Sequence, residues 1–307
     1  MQILFIFARE KPYDSRSVRE LPSGGTEKAC VFLGEAFQKL GHEVTWLTTP
    51  EQIRAYEGNP DVVITQVAEL LENFPKAKKI WWAHHFSDQP VIRQNAAFAR
   101  CFADRVVTLS QCHADDFRRV LRMESTTIGH GVWTSELHSP TKKDPFRLIY
   151  ASTPFRGLER IPKLFTQIKE REPRATIAIC SSMGTYGEAE KDSQYQKIFD
   201  ELSEMPGVEL KGALNQAQLY AEYSRASIFF YPCIWPETYC LALDEAIAHG
   251  CIPWVTNLGA LPERACWTDF KINNPTFHGL DKAPPQGLPP KDWMDIAKQW
   301  EREVLNG

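Results

Sequence analysis

No stretch of the 307-residue chain holds the ~20 consecutive apolar residues that a membrane-crossing helix needs. No transmembrane segment is expected, which leaves at most peripheral membrane contact. The apolar opening Met1–Ala8 is short, lacks a basic start and precedes no small-residue cleavage pattern. It reads as a first buried strand rather than a secretory leader. No two of the eight cysteines (Cys30, Cys101, Cys112, Cys180, Cys233, Cys240, Cys251 and Cys266) form a Cys-x-x-Cys pair or a finger spacing. That argues against structural zinc and for reduced, mostly buried thiols in a cytoplasmic protein. Basic residues are not in excess. The formal net charge is −4 at pH 7, and clusters such as Lys76–Lys79 or Arg118, Arg119 and Arg122 read as solvated faces, so no nucleic-acid partner is expected. A Gly-x-Gly-x-x-Gly after the first strand is missing, which counts against an NAD-dependent enzyme. Internal repeats and low-complexity tracts are missing too, so no repeat architecture is expected.

What remains is an ordinary globular composition, 43% hydrophobic and 24% charged, with enough length for about two domains of roughly 150 residues. Short β-rich apolar runs alternate with segments of helical period. Strands are expected at 2–7, 43–47, 62–65, 79–82, 105–109 and 125–128, with helices at 27–40, 91–102 and 112–120 between them. The second half repeats the pattern, with strands at 147–150, 176–180, 208–211, 227–232 and 252–256 and helices at 160–171, 195–203, 216–224 and 241–249. Such alternation predicts an α/β chain of two Rossmann-like, doubly wound parallel sheets, with a ligand cleft at their carboxyl ends. The polar, proline-bearing stretch Leu137–Pro145 marks a seam, giving a first domain at 1–138 and a second at 139–285. After a Pro-rich tract at 281–290, the amphipathic helix Lys291–Leu305 lies in a terminal segment, 286–307, expected to pack back towards the first domain.

The clearest chemistry lies in Pro236–Pro253. An apolar strand ends at Pro232, a loop presents Glu237, and a helix begins near Tyr239, Cys240 and Leu241. A helix start exposes N–H groups and a positive dipole end, a cradle for a diphosphate. Glu245 follows a turn or two into the helix, where a carboxylate can accept hydrogen bonds from a vicinal diol such as ribose. The small residues Ala246, Ala248 and Gly250 let the helix lie close to its sheet. Two glutamates at this spacing would otherwise be a solvated helix start; the surrounding pattern is what gives them weight.

Glu237 and Glu245, followed by Ala246, Ala248, Gly250, Pro253 and then Asn257–Glu263, resemble the donor-binding segment of family 4 retaining glycosyltransferases, group 1 enzymes of GT-B fold. The resemblance implies that Glu237 contacts the transferred sugar and Glu245 the ribose. Arg156, before Gly157 in Leu148–Leu158, falls where that family places a basic residue on the donor phosphates; an arginine can fork onto phosphate oxygens. A second basic residue, frequent in the family, is replaced by Ala151-Ser152-Thr153, with Ser152 a hydrogen-bonding substitute. The loop Ser23-Gly24-Gly25-Thr26-Glu27 looks like the family's Gly-Gly loop at donor phosphate or acceptor, although a Gly-Gly turn alone is equally ordinary loop chemistry. In Trp81–Phe86, His84 (or else His85) matches the histidine near the sugar. His130 stands where the family has asparagine and is given no role. Base contact would fall on backbone at Gly212, Ala213 and Leu214.

The resemblance runs from residue 1 to about residue 265, specific in the second half and loose in the first. It implies retaining transfer from a nucleoside diphosphate-sugar to an unidentified acceptor, with catalytic roles for His84, Glu237 and Arg156 and no cofactor beyond the co-substrate. No Asp-x-Asp occurs in the chain, so no metal is expected at the diphosphate. Two other readings fit the same fold. A sugar-nucleotide epimerase would consume donor without acceptor, and a non-catalytic nucleotide-sugar-binding subunit would turn nothing over.

Overall fold

Each of the eleven expected strands forms, and every pairing between them is parallel. The computed structural model describes residues 1–138, 142–265 and 288–306; part of the seam (139–141), most of the Pro-rich tract (281–287) and Cys266 lie outside them. The chain divides into two units, one comprising 1–18, 25–131 and 291–307, the other 19–24 and 132–290.

In the first unit, β1 (Gln2–Ile6), β2 (Glu43–Leu47), β3 (Val62–Thr65), β4 (Lys78–Trp82), β5 (Arg105–Thr108) and β6 (Thr126–Thr127) lie in the order β2-β1-β3-β4-β5-β6. Helices α2 (Gly25–Lys39), α3 (Pro50–Ala55), α4 (Pro90–Phe102) and α5 (Gln111–Asp116) connect them, and the short α1 (Ser17–Glu20) is divided between the two units after Val18. Ile3–Ile6 and Val62–Thr65 are buried end to end, the pattern of strands covered on both faces. α3 carries a capping box, Thr49 with Gln52, and Pro50 opens it. α5 passes into a π turn at Phe117–Leu121, closed by Arg122 in left-handed backbone.

The second unit carries β7 (Asp144–Ala151), β8 (Thr176–Cys180), β9 (Val208–Leu210), β10 (Ala226–Tyr231) and β11 (Ile252–Val255) in the order β11-β10-β7-β8-β9. Helices α6 (Ile161–Arg171), α7 (Gln196–Glu204), α8 (Gln216–Arg225), α9 (Leu241–Ala248) and α10 (Leu261–Arg264) alternate with them. The sheet order reverses at β7, which has β8 on one side and β10 on the other. The loops after β7 and β10 therefore leave the sheet side by side, at the switch point where doubly wound sheets bind ligands.

The terminal helix α11 (Trp293–Trp300) belongs to the first unit. It covers α2, with Trp293 edge-on to Phe32 at 6.2 Å and Trp300 edge-on to Phe37 at 6.4 Å. This explains why α2 is buried on two sides, Val31 and Phe32 as well as Leu33 and Phe37. Gly131 makes room for it, since a Cβ there would stand 2.9 Å from the Trp293 backbone. The His42–Glu301 contact at 2.9 Å and a hydrogen bond from Lys78 Nζ to the Leu305 carbonyl at 3.0 Å fix the far end. Among the described residues no helix is long and apolar enough to cross a membrane.

Three histidines sit in this unit's core: His84, His113 and His130. Burial lowers the pKa of His113 to about 4 and that of His130 to about 3. His84 is pushed well below 6.5, by burial first and by His130 next. Each is thus neutral when folded, whereas the unfolded chain takes up protons from about pH 6.5 downward. Stability must fall as pH drops through that window. The first unit's melting temperature should fall by about 5 °C or more between pH 7 and pH 5. Thermal melts across that range check this, and an unchanged midpoint would mean that these imidazoles can charge in place.

Candidate functional site

Two glycines hold the loops of the second unit together at the switch point. After β7 the chain makes a tight turn, Pro154–Arg156, closed by Gly157 at φ +116°. A Cβ at Gly157 would lie 2.6 Å from the Pro232 carbonyl oxygen, so the turn rests directly on the loop after β10. That loop in turn pairs with the one after β11. Glu237 and Gly259 form an isolated parallel bridge, and the Ala260 N–H donates to the Glu237 carbonyl at 2.7 Å. Gly259 is at φ +59°, and a Cβ there would collide with the Glu237 carbonyl and stand 2.6 Å from its nitrogen.

Those two contacts bring Arg156 and Glu237 face to face. Arg156 Nη1 donates to Glu237 Oε1 at 2.5 Å, and the Tyr231 hydroxyl, at the end of β10, donates to the same oxygen at 2.5 Å. Ser152 Oγ lies 3.3 Å from the Tyr231 hydroxyl, and Arg156 Nη2 donates to Tyr186 at 3.4 Å. The side chains of Arg156 and Glu237 are 21% and 6% exposed. Burial works against the guanidinium's charge, and the Glu237 carboxylate more than offsets it, so Arg156 holds its proton more tightly than a free arginine. Tyr231, raised by burial and then by Glu237, stays a donor. Arg156 Nε is buried with no hydrogen-bond partner.

α9 starts beside this pair. Cys240 is its N-cap, Leu241 its first residue, and no side chain caps it, the condition for N–H groups to meet an anion. The Tyr239 hydroxyl donates to Asp244, which is fully buried and also takes Arg264 at 2.8 Å. The Tyr239 side chain thus ties α9 to α10, and any anion contact from this residue falls to its backbone. Glu245, 3% exposed, accepts from Gln216 Nε2 at 2.9 Å. Gln216 opens α8 directly after half-buried Gly212, Ala213 and Leu214 and the N-cap Asn215. Gly212 takes φ +65° at the turn out of β9.

In the first unit, Gly25 is exposed and opens α2, while Gly24, buried, is counted with the second unit. Next to that loop, Arg9 pairs with Glu27. His84 follows β4 and is buried; His85 is exposed. The His84 ring stacks on His130 at 5.7 Å and meets Phe7 edge-on at 5.7 Å. Its Nδ1 lies 3.1 Å from the Trp82 carbonyl. A carbonyl only accepts, so Nδ1 carries the proton and Nε2 of the neutral ring is an acceptor. Among the described residues, no three His, Cys, Asp or Glu side chains gather as a metal site.

Of the residues named from the sequence, the structure brings Arg156 and Glu237 together and sets Glu245 against Gln216; their contacts with Tyr231, Tyr186, Gln216 and Gly259 were not expected. Only Gly259 stands in a quoted motif, Asn257–Glu263, and it was given no role there. Tyr231 and Gln216 could have been suspected only from their places, at a strand's carboxyl end and next to the Gly212–Leu214 loop.

Residues 136–267 match the family of glycosyl transferases group 1. This segment is similar to a group 1 glycosyltransferase domain. Solved structures resemble the whole chain. A glycosyltransferase involved in avilamycin A biosynthesis, AviGT4, is 15% identical over 98% of this chain and 96% of its own, with a TM-score of 0.71. Sucrose-phosphate synthase from Thermosynechococcus elongatus is 14% identical over 99% and 90%, with a TM-score of 0.68. Anabaena HepE, in complex with UDP-glucose, is 15% identical over 100% and 91%, with a TM-score of 0.64. No curated protein matches the chain in sequence. The likeness identifies the GT-B fold. In the matched segment, the Arg156–Glu237 pair and Glu245 both lie on loops and helices that follow carboxyl ends of strands.

Substitution at Gly259 tests how the loop is held. Gly259→Ala adds backbone strain and a collision with Glu237, whereas Gly41→Ala, at φ +90° with open space around it, adds strain alone. Gly41→Ala should cost about 1 kcal/mol and Gly259→Ala about 3 kcal/mol or more in denaturant unfolding. Equal costs would mean that the Glu237 loop yields freely.

Proposed function

We propose that the chain is a retaining, metal-independent glycosyltransferase that moves a sugar from a nucleoside diphosphate donor to an acceptor. The observation that carries this is the Arg156–Glu237 pair, set at the switch point of a group 1 glycosyltransferase domain. One guanidinium nitrogen holds Glu237, and Nε on the same planar group has no partner; it is a donor for a diphosphate oxygen. Arg156 then neutralises the leaving group, together with backbone N–H groups at Tyr239, Cys240 and Leu241 and the Ser152 hydroxyl. Glu237, pinned by backbone and by Tyr231, presents its carboxylate to the sugar. Glu245 takes the ribose, and backbone at Gly212, Ala213 and Leu214 takes the base.

This reading departs from a simple division in which one residue serves phosphate and the other sugar. Because Arg156 and Glu237 are bonded, removing the carboxylate also loosens the phosphate ligand. Donor and acceptor contacts that strengthen only in the transition state appear in kcat. The HepE structures, solved with UDP-glucose and with UDP, support a nucleotide-sugar donor.

Three measurements test the proposal. Activity should survive excess EDTA; loss with EDTA and rescue by Mn²⁺ would contradict the metal-free leaving-group account. Arg156→Ala should lower kcat by about 10²-fold, the scale for one preorganised donor. Proton NMR of the product should show the donor's anomeric configuration. An inverted product would overturn retention, donor consumption with a changed sugar and no acceptor would indicate an epimerase, and nucleotide binding with no turnover a non-catalytic subunit.

Glu245→Ala should weaken nucleoside diphosphate binding by roughly 1.5–3 kcal/mol, the size of a charge-assisted hydrogen bond. Calorimetry on the folded variant checks this, and unchanged affinity would remove Glu245 from the site.

A further inference from the structure

Gln216 is 4% exposed, yet only one end of its amide is used. Its nitrogen donates to Glu245 Oε1 at 2.9 Å, and its oxygen is buried with no partner. The orientation is fixed by chemistry, because a carboxylate only accepts and the nitrogen must therefore face it. The amide oxygen shares its carbon with the nitrogen that holds Glu245, so the unpartnered acceptor and the carboxylate belong to one buried cluster. Tyr220, also buried, is hydrogen-bonded to the same amide on its N–H side, since the contact holds the phenol's pKa down rather than up. A buried acceptor without a donor is costly, and in native proteins such atoms are rare.

We infer that Gln216 is a second ribose ligand and makes the site selective for ribonucleotide over deoxyribonucleotide donors. This rests on the donor reading of Glu245 above. A ribose presents two neighbouring hydroxyls, both able to donate. Glu245 Oε1 already takes one N–H from Gln216, so the diol divides between two acceptors: one hydroxyl goes to the Glu245 carboxylate, its neighbour to Gln216 Oε1. The hydrogen bond between the two side chains sets their spacing before the ligand arrives. A donor lacking one hydroxyl leaves the amide oxygen unsatisfied in a dry site. Sites built to hold a hydroxyl reject analogues without it for this reason. The position of Gln216, two residues after Leu214, puts this ribose contact next to the backbone proposed for the base.

The test is calorimetry on the full chain with UDP, GDP and ADP, each compared with its 2′-deoxy and 3′-deoxy counterparts. The wild type should prefer the ribonucleotide by about tenfold or more over one of the two deoxy forms, a difference of about 1.4 kcal/mol. In Gln216→Ala that preference should shrink to about threefold or less, through weaker ribonucleotide binding and nearly unchanged binding of that deoxy form. Gln216→Met, which keeps the length and removes the polar atoms, should behave the same way and guards against a packing defect in the alanine variant. If the wild type binds none of the three diphosphates, the donor reading falls and Gln216 falls with it. If the wild type binds but the variants weaken ribo and deoxy forms equally, or neither, the donor reading stands and the role of Gln216 is overturned.

Discussion

The ion pair between Arg156 and Glu237 is the contact on which the second unit's site depends. Each partner is largely withdrawn from water, and a buried charge is tolerated only when it is matched and hydrogen-bonded. The match demands that two loops, 81 residues apart in sequence, meet to within a hydrogen bond. Parallel topology gives the coarse placement, because β7 and β10 are neighbours where the sheet order reverses. Glycines then give the fine placement: Gly157 lets the first loop lie on Pro232, and Gly259 lets the third grip the Glu237 backbone. Tyr231 adds a second donor to the same carboxylate oxygen.

The first unit is built on a different logic. Its core is rich in aromatic rings, and its last layer, α11, arrives from the far end of the chain to cover α2. That layer also buries His130, which packs 5.9 Å from Trp293 and in turn stacks on His84. His84 is kept neutral by this packing, so whatever it contributes is a hydrogen bond rather than a charge.

Much of the fold was legible because buried parallel strands read as short apolar runs and the helices between them have a different period. Arg156, Glu237 and Glu245 were legible because each stands in a pattern of neighbours with its own chemical reason. Their partners were not. The bridge between Glu237 and Gly259 joins different loops, the Gln216 amide meets Glu245 from another helix, and the Tyr239 hydroxyl goes to Asp244. Sequence patterns carry chemistry that is local. Pairings across loops are decided by topology, and a pattern cannot show them.

The most direct test of the account is a double-mutant cycle on turnover with Arg156→Ala, Glu237→Gln and the double variant. If the pair acts as one unit, the second substitution costs little once the first is made. The double variant should then be about as slow as the worse single variant, with a coupling energy of about 2 kcal/mol or more. Effects that add to within about 0.5 kcal/mol would show two residues working independently, and would contradict the central role given to their bond.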